Sequence, residues 1–510
     1  MESLSFLLDG LGSALTPQNL LFVFLGVMIG TIVGVIPGLG PITAIAILIP
    51  LSYGLDPATA IILMSGIYYG AMYGGSITSI LMNTPGEAAN AITVIDGYKL
   101  ARAGRAGAAL ATAAIGSYVG GLFALAGLVL MAPLLTSLAL SFGSAEYTVL
   151  LFMALFLTAT LMSGSRIKGL VSVAIGMTIG MVGIDGQSTV ERWTFGVPQL
   201  MDGIDLAITA MALFAIPEAL RWLARGQQEN HERFTMQGSP RLSRTEWRRS
   251  LPAYGRGSIV GFLAGIFPGL GPTIGTFASY AVEKRFARKQ HRDELGNGAI
   301  EGVAGPETAN NAGAGGAMIP MLTLGIPATA TTALLLFVFQ MYGLQAGPQL
   351  FDTDPDLVWT IIASLLVGNT MLLLLNLPLV RAFVLLLKIP PPILYAGVLL
   401  FTAVGAWATA FSPFSLLVLL AMGLIGYFME AYGFPLAPAI LGLVLVPLLE
   451  TNLRRTLLLS DGSYLVFFQR PVSASILAVV AVVFAIAQIR AWRSRARQSA
   501  EPPDELVPTA

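Results

Sequence analysis

The chain has 510 residues, 55% hydrophobic and only 11% charged, with a mean hydropathy of +0.76. Soluble domains carry about 25% charged residues, so this composition excludes an ordinary soluble protein and indicates an all-α polytopic membrane protein. A net charge of zero argues against a nucleic-acid partner, and the lack of cysteine excludes disulfides, thiolate metal sites and a cysteine nucleophile.

In chain order, the N-terminal MESLSFLLDGLGSALTP lacks a basic segment and carries Glu2 and Asp9, so it does not read as a cleaved signal peptide. Residues 30–41 then read GTIVGVIPGLGP and break an apolar segment. A second Gly-rich break is expected at 73–90, YGGSITSILMNTPGEAAN. Lys99, Arg102 and Arg105 lie inside under the positive-inside rule; 106–131 crosses outward and 145–163 returns to Arg166 and Lys168. Residues 169–184 go out again and 205–222 return. The most polar internal stretch, 221–256, contains QQENHERF and RLSRTEWRR and reads as a basic, solvated cytoplasmic loop. At 261–272 the first string recurs as GFLAGIFPGLGP, followed by basic EKRFARKQHR (283–292) and a Gly-rich break at 305–333. The acidic loop FDTDPD (351–356) lies outside, and 357–376, 391–411, 414–431 and 433–450 alternate in direction. A final span, 474–490, ends at inside arginines; Arg454, Arg455 and Arg470 then fall outside, against the rule. The tail after Gln498 reads as disordered.

Both twelve-residue strings fit G-x-x-x-G-x-x-P-G-L-G-P, with seven fixed positions in register. The second lies between basic stretches and enters from the cytoplasm; the first is flanked by Glu2, Asp9 and Asp56 and enters from outside. The same motif entering from opposite faces is the mark of inverted-topology repeats with re-entrant or broken helices. The division is a first transmembrane repeat (1–222), a cytoplasmic linker (223–256), a second, inverted repeat (257–450), a loop with an extra C-terminal span (451–497) and a tail (498–510).

Irregular backbone at membrane depth is tolerated only where it is buried in protein or lines a cavity. Proline stops a helix and glycine lets backbone approach a ligand. The helix restarting at Pro41 or Pro272 leaves first-turn N–H groups unpaired, and these favour an anion. Candidate substrate-binding residues are therefore Gly38, Gly40, Pro41, Thr43, Gly269, Gly271 and Thr273, with Thr276 as a further hydroxyl. The second breaks add Asn83, Thr84, Gly86, Asn310, Asn311 and Thr329, as unwound backbone and polar side chains for an oxygen-rich ligand or Na⁺. Glu87, Glu301, Glu307 and Glu430 lie in or beside apolar segments; Glu87 and Glu307, with Asn310, are the candidates for a coupling Na⁺ or proton. Packing of small residues between helices is the competing explanation of these glycines.

No metalloprotease motif H-E-x-x-H is present, and His231 and His291 both fall in expected loops. No lysine follows glycines in the P-loop pattern, so neither an intramembrane protease nor a P-loop ATPase is indicated, and no cofactor is expected.

The paired motifs, N-T-P-G-E followed by DGYKLARAGRAGAAL (96–110), L-G-I-P (324–327) and LRRTLLLSDGSYLVFFQRP (453–471) resemble the large membrane subunit of tripartite tricarboxylate transporters, the TctA family. The resemblance runs through nearly the whole chain. It implies a small membrane partner (TctB-like), a periplasmic solute-binding protein (TctC-like), and import of carboxylates across a bacterial inner membrane on a Na⁺ or H⁺ gradient. Its motif residues fall on Gly38, Gly40, Pro41, Gly269, Gly271 and Pro272, and more loosely on Asn83 and Pro85. The alternatives are a passive anion channel and a membrane scaffold that moves nothing.

Overall fold

The structure is a computed structural model that describes residues 2–161, 165–225 and 238–498. In chain order its helices are α1 (Glu2–Ala14), α2 (Pro17–Gly34), α3 (Gly40–Leu48), α4 (Pro57–Met82), α5 (Thr93–Leu100), α6 (Ala106–Leu140), α7 (Ser144–Leu161) and α8 (Arg166–Gly180). A small antiparallel hairpin, β1 (Gly183–Ile184) and β2 (Glu191–Arg192), precedes α9 (Leu206–Arg225). Then come α10 (Arg244–Ile266), α11 (Gly271–Phe286), α12 (Lys289–Arg292), α13 (Glu301–Leu324), α14 (Ala330–Met341), α15 (Pro348–Thr353) and α16 (Pro355–Leu386). The chain continues with α17 (Pro391–Ala410), α18 (Pro413–Ala431), α19 (Leu436–Leu459), α20 (Val466–Gln469) and α21 (Pro471–Gln498). Among the described residues nine helices are long and apolar enough to cross a membrane. The chain is a multi-pass membrane protein.

The larger of two compact units holds the chain up to Ser141 together with Ala154–Pro447. At its centre two helix pairs pack through small residues. On α2, Gly30 and Gly34 lie on the backbone of Ile67 and Ala71 of α4, and Gly70 and Gly74 of α4 lie on Val27 and Thr31 of α2. On α10, Gly257, Gly261 and Gly265 lie on the carbonyls of Gly305, Ala309 and Gly313 of α13. A Cβ at any of these positions would collide with backbone. Lipid gives no hydrophobic drive for helices to associate, so close backbone approach through glycine is what holds such pairs together. Half of each repeated string, its G-x-x-x-G, is thus a packing stripe, and the turn is confined to PGLGP.

The stripes also correct the expected second breaks. Residues 73–82 remain helical, and 305–324 remain helical through both glycine runs, so Asn310 and Asn311 lie inside α13, not in unwound backbone. The expected loop at 223–256 is likewise partly helical. α9 reaches Arg225, and α10 starts at Arg244 behind a capping box in which Ser243 and Glu246 satisfy each other's backbone N–H. Residues 226–237, with His231, and 499–510 lie outside the described residues. At 15 residues, α8 is about 22 Å long, short of the ~30 Å hydrocarbon core.

Asp96 of α5 anchors the entry to α13. Its buried carboxylate accepts backbone N–H groups from Gly296 (2.9 Å), Gly298 (2.7 Å) and Ala299 (2.9 Å) and the Tyr280 hydroxyl (2.8 Å). Arg249 then pairs with Glu301 at 2.6 Å in the first turn of α13. Glu301 is therefore an ion-pair residue at a helix start.

The smaller unit comprises Phe142–Met153 and the chain from Leu448. Within it Glu146, 5% exposed, accepts the guanidinium of Arg470 (3.0 Å), the Ser473 hydroxyl (3.2 Å) and the Gly143 N–H (2.9 Å). Arg470, awkward under the positive-inside rule, has a local countercharge.

Candidate substrate cavity

Each half of the larger unit carries the same two interruptions. The first follows α2 and α10: Pro37 and Pro268 end the helix, Gly38 (φ 86°) and Gly269 (φ 82°) turn the chain in the left-handed region, and α3 and α11 restart at Gly40 and Gly271. The second follows α4 and α13. Asn83 (φ 57°) and Gly325 (φ 68°) are left-handed C-caps, Pro85 and Pro327 come two residues later, and Glu87 and Thr329 come two later again in extended conformation. Thr329 caps α14 through a reciprocal box with Thr332; Glu87, in the matching place, makes no cap bond. Within each half the two interruptions touch. A Cβ on Gly40 would lie 3.6 Å from that of Glu87, and one on Gly271 would lie 3.1 Å from Thr329 Cγ2.

All four interruptions meet at one cavity of about 1130 Å³. That is slightly above the usual range of small-ligand sites, about 300–1,000 Å³. Of the residues expected from sequence, Gly38, Gly40, Pro41, Thr43, Thr84, Gly86, Glu87, Gly271, Pro272, Thr273 and Thr329 line it, and so does Glu430. Asn83 and Gly269 shape turns behind the wall. The Gly269 N–H donates to Ala328 O at 3.1 Å, and its Cα faces the Thr158 backbone of α7. The Thr276 hydroxyl is spent on Thr273 O at 2.8 Å.

Asn310, Asn311 and Glu307 are buried in α13 behind the wall. Asn310 reaches it through Nδ2, 3.5 Å from Glu87 Oε1 and 3.4 Å from Met72 O. The Glu307 carboxylate accepts the hydroxyls of Ser76 and Thr93 and, at 3.3 Å, the amide of Asn90. Neither polar atom of the Asn311 side chain has a hydrogen-bond partner among the described residues.

Sequence reading missed one wall. The last two turns of α9 bring Glu218, Arg221 and Trp222 to the cavity beside Tyr395 of α17 and Glu430 of α18. Arg221 was expected in a solvated loop. It is instead ion-paired with Glu218 and faces Glu430 Oε2 at 3.2 Å. The Tyr395 hydroxyl donates to Pro37 O at 3.2 Å, lies 3.5 Å from Glu218 Oε1, and its ring stacks on Trp222 at 5.5 Å. The signal was present in PEALRW: Glu and Arg at i and i+3 end an otherwise apolar helix, a pattern that pairs charges on one face. The wall thus carries three carboxylates, Glu87, Glu218 and Glu430, and, among the described residues, one guanidinium.

Broken helices converging on a ligand-sized cavity within a multi-pass bundle belong to membrane transport machinery. Residues 20–441 match the Tripartite tricarboxylate transporter TctA family, and the chain belongs to that family. It is therefore a transporter component, not an enzyme, and its family works in three-part systems. An Agrobacterium vitis protein described as "Uncharacterized 52.8 kDa protein in TAR-I ttuC' 3'region" is 43% identical over 497 residues, covering 97% of this chain and 98% of that protein. A second from the same organism, "Uncharacterized protein in TAR-II ttuC' 3'region", is 42% identical over 238 residues, 47% of this chain and 98% of its own length. No solved structure matches the chain.

Proposed function

We propose that this chain is the translocating subunit of a secondary importer of small carboxylates, tri- and dicarboxylates such as citrate, in a bacterial inner membrane. The observation that carries this reading is that four backbone interruptions, two from each half, meet at one cavity. The halves 1–222 and 257–450 act as inverted repeats; the matched caps at 83/85/87 and 325/327/329 support that equivalence, as does the opposite charge of the motif flanks. Substrate carboxylates are held by the first-turn N–H groups of α3 and α11 with Thr43 and Thr273. Three wall carboxylates against one guanidinium leave two surplus negative charges when all are ionised, so a multivalent anion needs a co-bound cation. Glu87, Asn310 and Glu307 are the residues proposed to take that Na⁺ or proton. A TctB-like membrane subunit and a TctC-like periplasmic binding protein complete the system.

The test is uptake of radiolabelled carboxylates into proteoliposomes holding the three components, with and without a Na⁺ or proton gradient. Accumulation above the outside concentration, dependent on one gradient and on the binding protein, is expected. Flux that only equilibrates would mean a passive channel, and no flux of any carboxylate would mean a scaffold or another substrate class.

A further inference from the structure

We infer that Arg221 is the residue that receives a substrate carboxylate in this cavity, and that the Glu218 carboxylate holds that place until substrate arrives. The inference rests on the carboxylate reading above and adds the point of recognition to it.

Arg221 is the single Lys or Arg in the cavity wall among the described residues. Its guanidinium is only half engaged. Nη2 pairs with Glu218 Oε2, while Nε lies 3.2 Å from Glu430 Oε2, and among the described residues neither Nε nor that oxygen makes a hydrogen bond. A guanidinium fork binds a carboxylate best through two parallel N–H bonds, and no single partner supplies them here.

The other face of the Glu218 carboxylate lies directly on Gly38, where an added Cβ would strike Oε1, and Tyr395 stands 3.5 Å away. A carboxylate thus already sits between the guanidinium and the turn that opens α3, on the wall of the cavity. It is tethered, so an incoming free carboxylate can exchange with it. The matching position in the other half is sealed, because Gly269 faces the Thr158 backbone. Exchange therefore belongs to the first turn. Displaced from Arg221, Glu218 gives up that ion pair beside an incoming anion, which favours entry of a proton or a cation and links anion entry to cation entry.

The test is binding of citrate, succinate and benzoate to the purified full-length protein in nanodiscs. Wild type is expected to bind at least one probe. Arg221→Gln should weaken that binding by about tenfold or more, and Arg221→Lys, which keeps the charge but loses the fork, by an intermediate factor. Glu218→Gln removes the competing carboxylate and should tighten binding severalfold, an effect a merely structural ion pair would not give. The double variant should bind like Arg221→Gln alone. If Arg221→Gln does not fold, Arg221→Lys and Glu218→Gln decide. Unchanged binding in the Arg221 variants, or weakening in Glu218→Gln as large as that in the Arg221 variants, overturns the inference and leaves the carboxylate reading intact. A wild type that binds no probe removes that reading, and this inference falls with it.

Discussion

The two PGLGP turns are nearly the same in sequence and backbone, yet they face different things. Gly38 meets the end of a movable side chain, Glu218, at the cavity wall; Gly269 meets the backbone of α7 and donates its N–H to Ala328. The same pairing of likeness and divergence recurs one interruption later, where Glu87 and Thr329 occupy matched positions but only Thr329 caps a helix. A repeated motif therefore fixes a backbone path, while what packs against it decides whether that path serves a ligand or the scaffold.

The sharpest test of this contrast is Gly→Val at each turn. Either variant forces a β-branched residue to positive φ, at a cost of about 1–3 kcal/mol. At Gly269 the new Cβ also lies 2.6 Å from Thr158 N, which cannot move without moving α7. Gly269→Val is expected to yield little folded protein, judged by size-exclusion profile, whereas Gly38→Val folds and loses uptake. Wild-type folding and uptake in both would break the comparison and the assignment of the turns.

The helices leading into the second interruptions differ as well. Ser65 and Glu307 each lie eighteen residues before the left-handed caps Asn83 and Gly325. Glu307→Leu strands the buried Ser76, Thr93 and Asn90 groups, at about 1–3 kcal/mol each, and should lower the thermal midpoint clearly. Ser65→Ala, which removes an oxygen with no hydrogen-bond partner among the described residues, should leave the midpoint unchanged or raise it slightly. Equal effects would show that the two helices are interchangeable.

A smaller effect is expected at the matched pair beyond. Thr329→Val loses the capping box and about 1 kcal/mol of stability, read by thermal melting, with ion dependence of uptake retained. Glu87→Gln should do the reverse, sparing the melt and altering the ion dependence.

The smallest effect separates the starts of α2 and α10. Thr16 gives α2 no side-chain cap, whereas Glu246 completes the box of α10. Burial opposes ionisation of Glu246, but bonds from the Ser243 N–H and hydroxyl and the Arg105 guanidinium outweigh it and hold the carboxyl below its ordinary 4.5. A carboxyl lowered in the folded state stabilises above its unfolded pKa, and that stability is lost as pH falls through the folded value. The thermal midpoint of wild type should therefore fall more between pH 6 and pH 3 than that of Glu246→Gln. Identical slopes would remove this term.

Much of this was legible in sequence. Charge scarcity and the PGLGP repeat marked a membrane protein with paired interruptions, and most of the residues proposed from the motifs reach the cavity. Glycine was the main source of error. In α4 and α13 it makes a stripe for close helix contact, and a string alone does not distinguish that use from chain breaking; the breaks were placed too early and Asn310 and Asn311 were read as unwound. Arg221 was misplaced because positive charge near a polar stretch reads as solvated, and only the fold shows that α9 carries it to the cavity wall beside Glu430.

The polarity of α13 bears on how the chain is made. This helix carries Glu301, Glu307, Asn310, Asn311 and two prolines, and it is not among the nine helices apolar enough to cross a membrane by composition. A segment of that kind partitions poorly from the translocon into lipid one helix at a time. Its neighbours α6, α10 and α11 supply the contacts that lipid does not, and Asp96, made two hundred residues earlier, holds the turn that leads into it. Synthesis of the second half therefore depends on a first half already in place, and deletion of the chain through the end of α6 should leave α13 to quality-control proteolysis.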